Sequence, residues 1–384
     1  MVAGEASADL HGAYLVKAVK RLCPGVDFRG IGGSHMAEAG VEILVPSSSM
    51  AVVGLTEAAN RFHSIVKAAR IMKSAMKRLH PDLLILIDYP EFNLYLARIA
   101  KGLRIPVLYY ISPQVWAWRR GRTKKIARRV DRMAVILPFE ESFYRKRGLN
   151  VDYVGHPLLD EAASDLPFPS TGAGRVEHPV IGLLPGSRED EIRKILPVMI
   201  QAAEILKAHY PDIRCTLPLA RTIERGFVET FVRRASVAVD IREKDVYGTL
   251  RECHVAMVTS GTVTLDTAIM GVPMVVLYKV APFSYWLGKK LVKVPYISLV
   301  NLIAGEKVVT ELIQDEATAE RLAEEALLLL QDEANRRAMT TRLMKIRDLL
   351  GKGGASQRTA AIAIEMMTQT GRCLNGQDSS GSRR

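Results

Sequence analysis

"GLLPGSREDEIRKIL" (residues 182–196) sets an apolar run against a Pro185–Gly186 break and then a helical segment opening on Glu189, Asp190 and Glu191. The apolar run reads as a buried strand, and acids directly after a break read as a helix start. Strand, glycine turn and helix start together make a seat for an anion, because the first helical N–H groups are unpaired and the dipole is positive there. Arg188 adds a fork of guanidinium donors, with Gly186 and Ser187 in the turn itself. On this stretch alone the reading stays open, since the three acids satisfy the same dipole.

The same alternation runs outward in both directions. Strands are expected at 83–87, 107–111 and 133–137, then at 180–184, 214–217, 255–258 and 274–278, with helical segments between. That is the pattern of α/β domains with parallel sheets covered on both faces. "DLPFPSTGAGRVEHP" (165–179) has no periodicity and divides the chain into 1–164 and 180–350. Residues 315–349 read as helical, 351–370 as a terminal helix returning to the N-terminal domain, and 371–384 as a disordered tail. Two doubly wound domains facing a central cleft would bring functional residues to the ends of strands.

Composition narrows the partners. With 53 basic and 41 acidic residues the net charge is +12, which favours anionic partners. Nucleic acid is set aside, because no RNP, helix-turn-helix or zinc-finger pattern accompanies the charge. Cys23, Cys215, Cys253 and Cys373 lie far apart, which fits a reducing compartment without disulfides or zinc. The longest uncharged stretches, 43–56 and 105–118, are too short to span a bilayer. "MVAGEASADLHG" lacks the features of a signal peptide, so a cytoplasmic protein is expected, touching a membrane only at its surface.

A second anion seat is expected in "MVTSGTVTLDTAIMGVP" (257–273), where Ser260, Gly261 and Thr262 follow an apolar run and Asp266 stands one turn on, placed for ribose hydroxyls. Ser260 or Thr262 could instead serve only as a helix cap. "LLILIDYPEFN" (83–93) puts Asp88 at a strand end, where partial desolvation suits a carboxylate to accept a proton; a cap for the next helix is the alternative. "VAGEASADLHG" (2–12) makes another strand-to-helix turn with Glu5, Ser7, Asp9 and His11.

Two stretches pair aromatic or apolar residues with cations. Trp116 and Trp118 precede eight basic residues between Arg119 and Arg132, Arg120 among them, suiting an anionic membrane or a phosphorylated ligand unless this is a solvated helix face. Residues 56–79 carry a helical seam at 58, 62, 65, 69, 72, 76 and 79, whose default partner is the core. With Val53 and Leu55 ahead of it and Phe62 within it, the segment could instead lie on a bilayer. The same choice attaches to Phe283 and Trp286 beside Lys289, Lys290 and Lys293. The chain has no DxD pair, so no metal is expected and a departing diphosphate would be met by helix ends and cations.

Taken together, "VAGEAS", "IDYPEFN", "YYISPQVWAWRRGR", "VGHPLLD", "LLPGSR", "SGTVTLDTAIMGVPMVVLYK" and "YISLVNLIAG", in order from the first residues to about 310, resemble the lipid-A-disaccharide synthases. These are bacterial inverting glycosyltransferases of the GT-B type. The resemblance implies transfer of a diacylglucosamine from UDP to diacylglucosamine 1-phosphate, with no cofactor, by a protein peripheral to the inner face of the inner membrane, with a homodimer allowed. It also implies Asp88 as general base, Arg188 at the diphosphate, and Glu5 and Asn301 as polar residues of the cleft. Asp266 stands where the family more often has glutamate, Ala8 where it usually has glycine, and the short run before "AGE" places the expected native start upstream. Competing readings on the same fold are a UDP-N-acetylglucosamine epimerase and a transferase acting on undecaprenyl-linked glycans. A noncatalytic protein holding UDP-sugars at a membrane is the reading from another class.

Overall fold

Two parallel sheets organise the computed structural model, which describes residues 1–50, 58–118, 120–161, 176–243, 245–281, 285 and 294–369. The chain divides into two compact units, Met1–Glu161 with Gly351–Arg384, and Ala162–Leu350. Residues 165–175 of the expected linker and the tail 371–384 lie outside the described residues.

The first unit holds β1 (Val2–Ala3), β2 (Phe28–Gly32), β3 (Val41–Pro46), β4 (Leu84–Ile87), β5 (Val107–Tyr110), β6 (Arg132–Val135) and β7 (Val151–Tyr153), in the order β3-β2-β1-β4-β5-β6-β7. The second holds β8 (Val180–Leu184), β9 (Arg214–Leu219), β10 (Ala238–Glu243), β11 (Val255–Thr259), β12 (Met274–Tyr278) and β13 (Thr310–Ile313), in the order β10-β9-β8-β11-β12-β13. Neighbouring strands are parallel in both sheets. Strand order therefore reverses at β1/β4 in one unit and at β8/β11 in the other. In open sheets of this kind, ligands bind outside the strand carboxyl ends at that reversal.

The core strands are apolar because helices cover both faces; Leu84 to Ile87 and Val255 to Val258 are all buried. Helix Ala58–Leu79 turns Ala68, Met72, Ala75 and Met76 inward; of the expected seam Met72 and Met76 are buried, Ile65 and Ala69 half-buried and Leu79 exposed, while the side chains at 58 and 62 lie outside the described residues. Helix Ala355–Gln369 packs on helix Ala6–Leu22 within the first unit. Its start is capped by Asp160, which accepts from the backbone N–H groups of Gly354, Ala355 and Ser356 at 2.5, 3.1 and 3.0 Å.

The helical segment 315–349 consists of two helices, Ala319–Gln331 and Glu333–Leu349. Asp332 ends the first and caps the second, its carboxylate accepting from Asn335 N at 3.0 Å. Cys23, Cys215 and Cys253 are free thiols. Among the described residues no helix is long and apolar enough to cross a membrane.

Candidate active site

The reversal in the first sheet brings two carboxylates together. Ala3 pairs with Ile87, so Glu5 and Asp88 leave adjacent strand ends. Between them runs a close approach: a Cβ at Gly4 would stand 2.7 Å from Cγ of Tyr89, so the glycine of "VAGEAS" is needed for contact. Asp88 and Tyr89 both adopt left-handed backbone, each at φ 46, which costs about 1–3 kcal/mol per residue and persists only when the surroundings impose it. Here they do. The Asn93 amide donates to the carbonyls of Ile87 and Asp88 at 3.1 and 2.6 Å, the Tyr109 hydroxyl donates to Asp88 O at 2.6 Å, and Asp88 N donates to Tyr110 O at 3.2 Å. Asn93 and Tyr109 are fully buried, so the clamp is rigid.

Burial pushes the Asp88 carboxyl up to about 6, the nearby Glu5 carboxylate adds to that, and a hydrogen bond with the Tyr89 backbone pulls the other way. A carboxylate poised there is ionised at neutral pH yet basic enough to take a proton from a hydroxyl. The capping alternative does not hold, since helix Pro90–Gly102 has Tyr89 as its N-cap and no side-chain cap bond.

One strand further along, Ile111 also turns left-handed, at φ 62, and starts the loop that carries "SPQVWAW". That loop is anchored by Glu140, a buried acid that sequence reasoning missed. Its Oε1 accepts from Ser112 Oγ at 2.6 Å and Trp116 Nε1 at 3.0 Å, and its Oε2 from the amides of Ile136 and Leu137 at 3.3 and 3.0 Å. Burial raises its carboxyl to about 6 against these four donors. The available signal was an acid at the third position of a helix beginning with Pro138, the pattern of a capping box. Trp116, expected at a membrane or acceptor surface, is 5% exposed and stacks edge-on against Phe139 with ring centroids 4.8 Å apart. That expectation is corrected: an indole with its N–H spent on a buried carboxylate holds the loop. Val53, Leu55 and Arg119, and the side chains of Phe62, Trp118 and Arg120, lie outside the described residues, as do Phe283, Trp286 and the lysines at 289, 290 and 293.

Asp9 and His11 are buried as well. Asp9 accepts from Gly33, His35 and Met36 backbone N–H groups at 2.6, 3.1 and 3.2 Å, closing the turn into helix Ser34–Glu38. His11 is held neutral by burial, with its pKa at about 4 against the opposing pull of Asp160; His156, lowered first by burial and then by His11, sits at about 3. Ala8, where the family usually has glycine, is 1% exposed inside the regular helix Ala6–Leu22.

In the second sheet the reversal joins both expected anion seats. Leu184 and Val258 are paired, so Gly186, Ser187 and Arg188 leave β8 beside Ser260, Gly261 and Thr262 leaving β11. Gly186 has φ +113, and a Cβ there would meet Glu191 Oε2 at 2.5 Å. Arg188 is the N-cap of helix Glu189–Lys207; its side chain is 74% exposed and, among the described residues, its guanidinium is tied only to Glu191, at 3.1 Å. Thr262 is exposed and makes no side-chain cap bond, so it is not spent as a cap. Ser260 Oγ donates to Ile297 O at 3.2 Å.

Two further expectations meet a more structural reality. Asp266 is half-buried and accepts from the Tyr247 hydroxyl at 2.8 Å, while burial raises its carboxyl to about 6. Asn301 is fully buried: its amide donates to Val309 O and Glu311 Oε1, both at 2.9 Å, and its oxygen accepts from Val308 N and Val309 N at 2.8 and 3.0 Å. With its hydrogen-bonding capacity used inside the protein, Asn301 shapes the segment after Ser298 and makes no direct ligand contact. That corrects its assignment to the UDP site.

Beside the carboxylate pair, a cavity of about 890 Å³ lies against helices Ala58–Leu79 and Pro90–Gly102. Ile65, Val66 and Ala69 line it from one helix, Phe92 and Tyr95 from the other, with Glu5 and Tyr89 also at its wall. Arg70 and Lys73 also border it.

The comparisons with known proteins agree with this geometry. The family model described as lipid-A-disaccharide synthetase matches residues 1–365. A lipid-A-disaccharide synthase of Geobacter metallireducens is 48% identical over 370 residues, covering 96% of each chain. Among solved structures, a UDP-N-acetylglucosamine 2-epimerase from Listeria monocytogenes superposes with a TM-score of 0.62 at 14% identity, covering 95% of each chain. The calicheamicin glycosyltransferase CalG4 gives 0.59 at 13%, covering 94% and 95%. These two likenesses establish a fold shared by transferases and epimerases, whereas the sequence match extends over nearly the whole chain and separates them. The chain belongs to the lipid-A-disaccharide synthase family of glycosyltransferases.

Proposed function

We propose that this chain joins UDP-2,3-diacylglucosamine to 2,3-diacylglucosamine 1-phosphate, forming the β-1,6-linked disaccharide 1-phosphate and releasing UDP. The observation that carries the mechanism is Asp88, a clamped carboxylate with its pKa near 6 at the reversal point of the first sheet. The acceptor 6-hydroxyl attacks the anomeric carbon of the donor from the face opposite the diphosphate, and its proton passes to Asp88. The bond from the anomeric carbon to the diphosphate oxygen breaks, and the electron pair leaves with UDP. Arg188 and the backbone donors of the turns at Gly186 and Ser260 meet that charge, so no metal is needed to carry it. Asp266 reaches the ribose only by sharing its carboxylate with Tyr247. Glu5 acts on Asp88 through its charge, keeping the base strong.

Family membership supports acylated substrates, and the cations along helix Ala58–Leu79 support attachment to an anionic membrane surface, at the inner face of the inner membrane. The test measures UDP release with both lipids, with each omitted in turn, and with EDTA. Release that requires both lipids and survives chelation is expected. Release from the donor alone, or from UDP-N-acetylglucosamine without acyl chains, would overturn the reading.

A further inference from the structure

The cavity beside Asp88 carries an assignment of its own, which rests on the reaction proposed above. Its walls are apolar and aromatic, and at about 890 Å³ it stands at the upper end of the roughly 300–1,000 Å³ usual for small-ligand pockets. Its charges are unevenly matched. Glu91 at its border is taken by Arg122, and Glu5 faces the catalytic carboxylate. Arg70 and Lys73, one turn apart on the same helix face as Ala69, have no ion-pair partner among the described residues. An apolar slot with two uncommitted cations at its border, opening beside a general base, is complementary to one kind of molecule: an anionic amphiphile whose sugar hydroxyl must reach that base.

We propose that this groove is the acceptor subsite: Arg70 and Lys73 bind the anomeric phosphate of the acylated sugar, and an acyl chain lies between Ala69 and Phe92. The pair thereby selects the phosphorylated sugar as acceptor and orients it with its 6-hydroxyl toward Asp88. Both cations are exposed, so their loss costs binding and spares the fold.

The test uses the full chain in neutral detergent micelles, which removes any attraction to an anionic surface. Two acceptors are compared, 2,3-diacylglucosamine 1-phosphate and the same sugar without its phosphate. For the variant Arg70→Ser/Lys73→Ser, KM for the phosphorylated acceptor is expected to rise about tenfold or more, with kcat and donor KM little changed. On the phosphate-free acceptor, wild type and variant should match. A variant that equals wild type on the phosphorylated acceptor, or that loses equally on both acceptors, overturns the assignment. Ala69→Phe fills the slot and should raise KM for long-chain acceptors while sparing a diacetyl analogue; indifference to chain length overturns the acyl seat. Acceptor binding followed by calorimetry in the same micelles reads the groove without turnover. Wild type that binds the acceptor but releases no UDP counts against the reaction, whereas binding indifferent to Arg70→Ser/Lys73→Ser counts against the groove.

Discussion

The two reversal points of this molecule are built in opposite ways. At the first sheet, Asp88, Tyr89 and Ile111 hold left-handed backbone without being glycine, the Asp88–Tyr89 turn locked by the buried side chains of Asn93 and Tyr109 and Ile111 tied through its N–H to Ala134 O. At the second, the turn after β8 relies on Gly186, and Arg188 projects into solvent with one loose partner. Moving a proton asks for a desolvated carboxylate in one fixed place, so the first rim is rigid and strained. Holding a leaving anion asks for donors that can close around it, so the second is open and cationic.

The sharpest way to break this contrast is Asp88→Asn. Turnover should fall about 10²- to 10⁴-fold, the usual share of a general base, while UDP binding stays intact. Its stability should not fall: asparagine tolerates left-handed backbone, and a carboxyl whose folded pKa lies near 6, above its unfolded value, is penalised in its ionised form. The stabilisation contributed by protonated Asp88 is present at low pH and lost as pH rises through about 6, so the neutral variant should melt at or above wild type at pH 7. A melt several degrees lower would show that the carboxylate is a structural tie.

Arg188→Ala probes the other rim. Its kcat/KM is expected to drop about 10²-fold, as for loss of one donor to developing charge. Unfolding in urea should shift by less than about 1 kcal/mol, because the pair with Glu191 is exposed. A large stability loss with normal kinetics would make the second rim the structural one.

Gly186→Ala tests the glycine turn. Left-handed strain of about 1–2 kcal/mol should appear as weaker UDP binding or a lower melting temperature. No change would mean the turn needs no glycine.

The smallest expected effect is on the pH profile. Asp88 must be ionised to accept a proton, so kcat/KM should fall tenfold per pH unit below about 6. Glu5→Gln removes a charge that raises the Asp88 pKa, so the acid limb should move to lower pH by less than about one unit. A limb that stays in place would separate Glu5 from Asp88.

What was legible in the sequence follows from burial. β4, β5, β8, β11 and β12 are covered on both faces and read as unbroken apolar runs, and the residues leaving β4, β8 and β11 stood out as breaks in those runs. The edge strands did not read, for the same reason. β3 ("VEILVP"), β10 ("AVDIRE") and β13 ("TELI") break their apolar residues with charged ones and β7 is only three residues long, while the interior β2 ("FRGIG") was hidden by an arginine and two glycines. Two expected strands also overran. β5 stops at Tyr110 because Ile111 turns left-handed, and β6 stops at Val135 because the amides of Ile136 and Leu137 turn to Glu140.

The sequence by itself determined the α/β alternation, the two sheets' central strands and the stretches from which the candidate site is built, because apolar periodicity and turn chemistry are local properties. Tertiary structure alone decided that Asp88 is clamped and basic, that Trp116 and Asn301 are structural, and that Glu140 anchors the signature loop. Those outcomes depend on partners that the chain brings back from a distance, Tyr109 21 residues from Asp88 and Ser112 and Trp116 28 and 24 residues from Glu140, together with nearer ones whose side chains the fold turns inward, such as Asn93 and Val309. A carboxylate, an indole or an amide has the same composition whether it faces water or a buried donor, and only the fold sets which it meets.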